Sequence, residues 1–231
     1  MKAQRRIFIN IITGMNKMIK AVIFDLDGTL LNTLDDLADS VNHILSLHSM
    51  KNRTIDEIRS FIGNGIPTLI ARSVEKNTEE SELAVCVEEM QQYYRAHADI
   101  KTKPYDGINE LLKILKDKNI LTAVVTNKNE ESAKILCDRK FGKVFTAVIG
   151  DNGIDRLKPA PDNVFRATDI LGVGKEEILY VGDSDVDIET AKNSGLTSVG
   201  VAWGFRDADV LRECGANHII NSPEELLSLI I

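Results

Sequence analysis

The stretch Ile19–Thr33, IKAVIFDLDGTLLNT, decides how the rest of the chain is read. An apolar run, Ala21-Val22-Ile23-Phe24, stops at Asp25; a second carboxylate follows at Asp27, and Gly28-Thr29 then break the pattern. A short apolar run ended by polar residues and glycine reads as a fully buried strand entering a tight loop. Side chains repeat every second residue along a strand, so carboxylates at i and i+2 leave its tip on the same side. Taken alone, the pair also fits a plain acidic turn.

At 231 residues, with 43% hydrophobic and 27% charged residues, the chain has room for one large domain or for one domain carrying a smaller second one. A formal net charge of −7 and a pI near 5.2 argue against a nucleic-acid partner, which calls for a basic stripe. An anionic substrate must then be attracted locally, by a metal ion or a few placed bases. The three cysteines (Cys86, Cys137, Cys214) are scattered without a CxxC, and the four histidines show no HxH or HExxH spacing. This fits a reducing, cytoplasmic setting and neither a disulfide framework nor a zinc site. No apolar run approaches the roughly 18 residues of a membrane span, and no membrane partner is expected. Residues 1–18 carry Lys2, Arg5, Arg6 and Lys17 around a short apolar run at 7–12, with no acidic residue. They lack a clear signal-peptide pattern. They read as a non-catalytic N-terminal extension or an over-early start, with a weak membrane-surface segment as the alternative.

Downstream of the acidic tip, Leu34, Leu37, Ala38, Val41, Ile44 and Leu45 follow helical spacing, with Asp35, Asp36 and Asp39 on the opposite face. Thr54-Ile55-Asp56-Glu57 predicts a capping box at the start of a second helix, which ends at Gly63-Asn64-Gly65. Pro67 sits just inside a third helix, where its missing N–H costs nothing. A fourth covers roughly 78–98 with Leu83, Val87, Met90 and Tyr94 on one face. From Pro104 the pattern becomes strict alternation. Helices at 107–118, 130–139, 161–171 and 187–194 separate β runs at 121–125, 144–149, 178–181 and 197–201. Such alternation predicts a parallel sheet covered on both faces. The expected architecture is an α/β core with a doubly wound parallel sheet, residues 19–32 joined to 104–231. An all-helical cap, 33–103, is inserted after the first strand.

In open α/β sheets, ligands bind beyond the carboxyl ends of the strands. Those ends hold Asp25 and Asp27, then Thr126 and Asn127, then Asp183 with Asp187 four residues on, while Lys158-Pro159 precedes a helix. Four carboxylates on one rim cannot all ionise without a cation, since each pushes the others' pKa up. An all-oxygen site without His or Cys selects a hard ion, and Mg²⁺ is the one that partners phosphate. A carboxylate nucleophile splits phosphoester hydrolysis into two easier steps. A second carboxylate two residues away serves as general acid and then base.

DLDGT (25–29), VVTN (124–127), LKPAP (157–161) and GDSDVD (182–187) together closely resemble, in order, the four motifs of haloacid-dehalogenase-like (HAD) phosphatases. The resemblance covers residues 18–231. It implies the Rossmann-like HAD core, with Asp25 as nucleophile and Asp27 as general acid/base. It implies Thr126 and Lys158 as phosphoryl ligands, with Asn127 beside them. Mg²⁺ is then held by Asp25, the Asp27 backbone carbonyl and Asp183, with Asp187 steadying the metal's waters and Lys158. Asp27 favours a phosphatase or mutase, since the family's dehalogenases lack this residue. The cap's Gly63-Asn64-Gly65 followed by Arg72 is similar to the G-N-G…R pattern of phosphoglycolate phosphatases. A glycine-rich turn at a helix N-terminus suits an anion, and Arg72 suits a small carboxylate; a plain turn and a solvated helix face are the alternatives. Trp203-Gly204-Phe205-Arg206 also looks like this subfamily, with Arg206 either a phosphate-side base or an exposed helix-start residue. His43, His48, His97 and His218 read as packing or surface residues, and Tyr93-Tyr94 as cap core.

The expected activity is Mg²⁺-dependent hydrolysis of a small phosphorylated metabolite, with 2-phosphoglycolate as the first substrate to test. Sugar phosphates, nucleoside monophosphates, pyrophosphate and a β-phosphoglucomutase-like transfer are the alternatives. Monomer and homodimer both remain open.

Overall fold

A computed structural model describes residues 18–230, so the expected N-terminal extension lies almost wholly outside the described residues. Six parallel strands form one sheet: β1 (Ala21–Phe24), β4 (Leu121–Asn129), β5 (Ala147–Asp151), β6 (Ile178–Gly182), β7 (Thr197–Val201) and β8 (His218–Ile220). Their order is β5-β4-β1-β6-β7-β8. β1 sits between β4 and β6, with Phe24 in register with both Val124 and Val181.

The alternation along β1 sorts the two faces. Val22 and Phe24 pack into a cluster with α5 (Ile108–Asp117) and α6 (Glu130–Phe141), through Leu111, Leu115, Ala133 and Leu136. Ala21 and Ile23 face the opposite cluster, with α7 (Asp162–Leu171) and α8 (Asp185–Ser194), through Val164, Ala167 and Ala191. All four β1 residues are buried. This is why the strand is apolar throughout rather than alternating.

Between β1 and β4 the chain leaves the sheet to build four helices: α1 (Leu34–Leu47), α2 (Ile55–Phe61), α3 (Gly65–Ser73) and α4 (Glu80–His97). They enclose a cluster of their own, including Val41, Leu45, Ile58, Ile70, Met90 and Tyr94. The Thr54/Glu57 capping box forms, with the Glu57 N–H donating to Thr54 Oγ1 at 3.2 Å and the Thr54 N–H to Glu57 Oε2 at 2.7 Å. The α1 residues expected inside are inside.

Four sequence expectations need correction. The segment read as purely helical is tied at its base by a two-residue antiparallel ribbon, β2 (Leu31–Asn32) with β3 (Lys103–Pro104). Two residues are too short to carry a period. Asp36, placed on the solvated face of α1, is instead buried. Its carboxylate accepts from the N–H groups of Ile100, Lys101 and Thr102 and from the Thr102 hydroxyl at 2.7–3.1 Å, pinning the returning chain to α1. β5 starts at Ala147, not Val144, because Val144 and Phe145 fold onto the α6 side of the core. Finally, α8 begins at Asp185, with Ser184 as its cap and Asp187 in the third helical position. Beyond β7, α9 (Ala208–Glu213) and β8 are too short to show in the sequence pattern.

Candidate active site

The centre of the site is a lysine between two carboxylates. Lys158 Nζ lies 2.7 Å from Asp25 Oδ1 and 2.7 Å from Asp187 Oδ1, and all three residues are buried. Asp25 is brought there by the end of β1, its N–H donating to Val181 O at 2.8 Å. Asp187 is brought by the first turn of α8, and its Oδ2 accepts from the Ser184 N–H and hydroxyl. Tyr180 donates its hydroxyl to Asp187 Oδ1 at 3.3 Å. Burial alone would lower the Lys158 ammonium, but Asp187 and Asp25 outweigh it and hold its pKa well above the ordinary lysine value.

Asp183 completes the group from the end of β6. The Thr29 hydroxyl donates to its Oδ1 at 3.1 Å and the Phe205 N–H to its Oδ2 at 2.7 Å. Two glycines make this approach possible. A Cβ on Gly28, whose φ is +91°, would stand 2.3 Å from Asp183 Oδ2, and one on Gly204 would stand 2.2 Å from Asp183 Cβ. Glycine in DLDGT therefore lets the acidic loop lie directly against the next strand's carboxylate.

Oxygens of Asp25, Asp183 and Asp187 all lie within 4.8 Å of one another. Burial, then the charge on Asp187, raises Asp183 to about 7, and burial with the neighbouring carboxylates raises Asp25 well above the usual range. Buried, like-charged and purely oxygen donors form a set completed by a hard divalent cation. The donor set therefore fits such an ion.

Asp27, two residues past Asp25, is 16% exposed at its side chain and pairs with Lys128, Nζ to Oδ1 at 3.0 Å. Lys128 follows VVTN directly and was not singled out in the sequence. A single lysine on a strand end carries no periodic or motif signal. Thr126 is buried at the end of β4, its Oγ1 accepting from the Lys128 N–H at 3.2 Å. Asn127 clamps two loops: it accepts from the Lys158 N–H at 2.8 Å and donates to Lys158 O at 3.1 Å and Gly63 O at 3.2 Å.

A cavity of about 400 Å³ lies between these groups and the cap. Asp25, Asp27, Thr126, Asn127, Lys158 and Asp183 line its core side. Gly63, Gly65 and Pro67, at the start of α3, line its cap side together with apolar Leu37, Ile66 and Leu69. Asn64 is the N-cap residue of α3 and is not among the lining residues. Arg72 is not there either: its Nη1 donates to Phe61 O at 2.9 Å, at the end of α2. The cap cation that does line the cavity is Arg95 on α4, which has no hydrogen bond or ion pair among the described residues. Arg206 lines the cavity as well, with a side chain 17% exposed, so it is not the exposed helix-start residue of the second alternative. It reaches from the core to the end of α2, donating to the carbonyls of Arg59, Ser60 and Ile62, at 2.7 Å for Ile62. Phe205 beside it packs into the cap cluster.

Comparison with known proteins agrees with this geometry. The profile of the haloacid dehalogenase-like hydrolases matches residues 22–201. A phosphoglycolate phosphatase from Haemophilus influenzae is 31% identical over 224 residues, covering 94% of this chain and 100% of its own. One from Neisseria meningitidis is 33% identical over 216 residues, covering 90% and 92%. A crystal structure of a candidate phosphoglycolate phosphatase from Lactobacillus delbrueckii subsp. bulgaricus superposes with a TM-score of 0.88 at 32% identity, covering 93% of this chain and 99% of that one. The matched span carries all four acidic, hydroxyl and lysine motifs of the rim. The chain therefore belongs to the haloacid dehalogenase-like hydrolases, as a phosphatase of their phosphoglycolate-phosphatase-like branch.

Proposed function

We propose that this phosphatase is a Mg²⁺-dependent phosphomonoesterase that works through an aspartyl-phosphate, with 2-phosphoglycolate as its substrate. The observation that carries the reading is the Asp25–Lys158–Asp187 arrangement, two 2.7 Å contacts in a buried rim, with Asp183 alongside. It supports a division of labour. Lys158, fixed from both sides, and the Thr126 hydroxyl hold non-bridging oxygens of the phosphoryl group. Asp25 attacks phosphorus, and the bond to the leaving oxygen breaks as the Asp25–phosphorus bond forms. Asp27 gives its proton to that oxygen and then takes one from the water that hydrolyses the intermediate. Asp25, Asp183 and the Asp27 backbone carbonyl, with Asp187 behind, would hold Mg²⁺, which would supply neutralisation of charge on the phosphoryl group.

The substrate reading is supported by relatives named as phosphoglycolate phosphatases and by the shape of the cavity. Its cap side presents the α3 N-terminus and the cation Arg95, which is unpaired among the described residues. A phosphate on the core side and a carboxylate on the cap side suit that arrangement. The decisive experiment is Asp25→Asn assayed with p-nitrophenyl phosphate and 2-phosphoglycolate. Turnover of both is expected to vanish in the variant; normal rates would sink the nucleophile assignment. EDTA is expected to silence the wild type and Mg²⁺ to restore it, and activity that survives EDTA would overturn the metal reading.

A further inference from the structure

Lys128 is the buried charge of the cavity that the reading above leaves without a task. Its side chain is 7% exposed, and its ammonium has neighbours in both halves of the molecule. On the core side Nζ donates to Asp27 Oδ1 at 3.0 Å and Oδ2 at 3.3 Å, spanning the whole carboxylate. On the cap side it donates to Tyr94 Oη at 2.9 Å and lies 4.5 Å from the centroid of the same ring. Tyr94 is rooted in the cap, buried on α4 within the cluster that holds the four helices together. One ammonium is thus shared between the carboxylate assigned to proton transfer and a hydroxyl that belongs to the cap.

A buried ion pair keeps its geometry only when the remaining donors are satisfied. Asp27 alone leaves Lys128 protons over, and the Tyr94 oxygen takes one while the ring face covers the charge. Without Tyr94, water would reach the ammonium, and a solvated lysine–carboxylate pair holds no single geometry. The long, flexible lysine stem then leaves Asp27 free to turn away from the leaving oxygen.

We propose that Lys128 and Tyr94 are a positioning pair for Asp27, in which the docked cap holds the ammonium against the carboxylate and so sets the proton donor in place only when the cavity is closed. This rests on the reading of Asp27 as the acid/base group. In that first step Asp27 enters as the acid, its proton on Oδ2, the oxygen farther from Lys128 at 3.3 Å, and the electron pair left on the leaving oxygen takes that proton. An alkoxide needs that proton to depart, whereas a nitrophenolate leaves readily without it. Misplacing the donor therefore costs an alkyl ester far more than an aryl one, and a merely structural defect costs both alike.

The test measures kcat and KM for Tyr94→Phe in the full-length enzyme with Mg²⁺. The substrates are p-nitrophenyl phosphate and the alkyl phosphate that the wild type turns over best; Lys128→Met and Asp27→Asn are the reference variants. Acid/base catalysis contributes typically about 10²–10⁴-fold, so Tyr94→Phe is expected to lower kcat on the alkyl ester about tenfold or more, with the aryl ester within about threefold and KM within about twofold. Lys128→Met is expected to widen the split. Adding Tyr94→Phe to Asp27→Asn is expected to change nothing further, because the two act through one group. Equal losses on both esters, a loss confined to KM, or an independent loss in the double variant would overturn the pair and leave Tyr94 as packing. Tyr94→Phe keeps the ring and carries the test alone if Lys128→Met does not fold. If Asp27→Asn itself shows no dependence on the ester, the acid/base assignment fails first, and the pair with it.

Discussion

The two walls of the one cavity are built on different terms. The core wall is made at the ends of β1, β4 and β6, and its charged groups are buried and already held: Lys158 by two carboxylates, Asp183 by Thr29 and the Phe205 N–H, Asp187 by Ser184 and Tyr180. The cap wall is mostly apolar, with an exposed Arg95 that holds nothing among the described residues. Three hydrogen-bonded contacts named above cross between them, beside the packing of Phe205: Asn127 to Gly63, Lys128 to Tyr94, and Arg206 to the end of α2. A wall whose groups are held in advance suits charge development in a transition state, because nothing has to reorient when the reaction occurs. A wall that keeps a cation free suits selection of the part of the substrate that does not react.

The stiffness of the core wall is tested most severely at Gly28. Alanine there must keep a φ of +91° and place a Cβ 2.3 Å from Asp183 Oδ2. The backbone strain alone costs of order 1–3 kcal/mol, and displacing Asp183 by an ångström costs on the order of 10²-fold in kcat/KM. Gly28→Ala is expected to show both, as a lowered Tm and a loss of activity that extra Mg²⁺ does not restore. Near-normal turnover would mean that the core wall yields as easily as the cap.

A smaller effect separates two arginines of the cap. Hydrogen bonds to charged groups contribute about 1.5–3 kcal/mol, which is about 10- to 100-fold in affinity. Arg95→Gln is expected to raise KM for 2-phosphoglycolate within that range while leaving a carboxylate-free phosphate ester within about twofold. Among the described residues Arg72→Gln removes a single bond, to Phe61 O, and it is expected to treat the two esters alike. The opposite pattern would return the carboxylate to Arg72 and require α2 and α3 to rearrange around the substrate.

This division also explains what the sequence discloses. β1, β4, β6 and β7 are apolar runs at strand length, and the four motifs sit at their carboxyl ends or in the loop before a helix. Residues 25, 126, 183 and 187 are thus brought to one rim by the sheet topology that alternation predicts, and Lys158 by the loop that Asn127 clamps. Contacts between separate elements have no such periodicity. Asp36 looks like any acidic residue near a helix start until the chain at 100–102 folds back onto it. Arg72 lies at a plausible spacing from Gly65, yet its rotamer takes it to the nearer unsatisfied carbonyl of α2. Lys128, Arg95 and Arg206 acquire meaning only from what the other half of the molecule places opposite them.

The cap is also held together by contacts away from the chemistry. His48, at the end of α1, pairs with two residues of α4, its Nε2 2.8 Å from Glu89 and its Nδ1 3.4 Å from Glu82. The hydrogen bond to Glu89 raises its pKa above the ordinary histidine value. A raised folded pKa means that the charged form favours the folded state. The stabilisation is fully present below the unfolded pKa of about 6.5 and disappears as pH rises through the higher folded value. Both glutamates are more than a third exposed at their side chains, so the contribution is of order 0.2–1 kcal/mol. For a chain of this size that is about 0.5–4 °C in Tm. His48→Gln is expected to lower Tm by that amount near pH 6 and by nothing near pH 9, with kcat/KM unchanged because His48 is not among the cavity residues. A deficit that persists at high pH would show that His48 acts by packing. A loss of activity confined to low pH would show instead that the α1–α4 junction reaches the cavity, through the same helix that carries Tyr94 and Arg95.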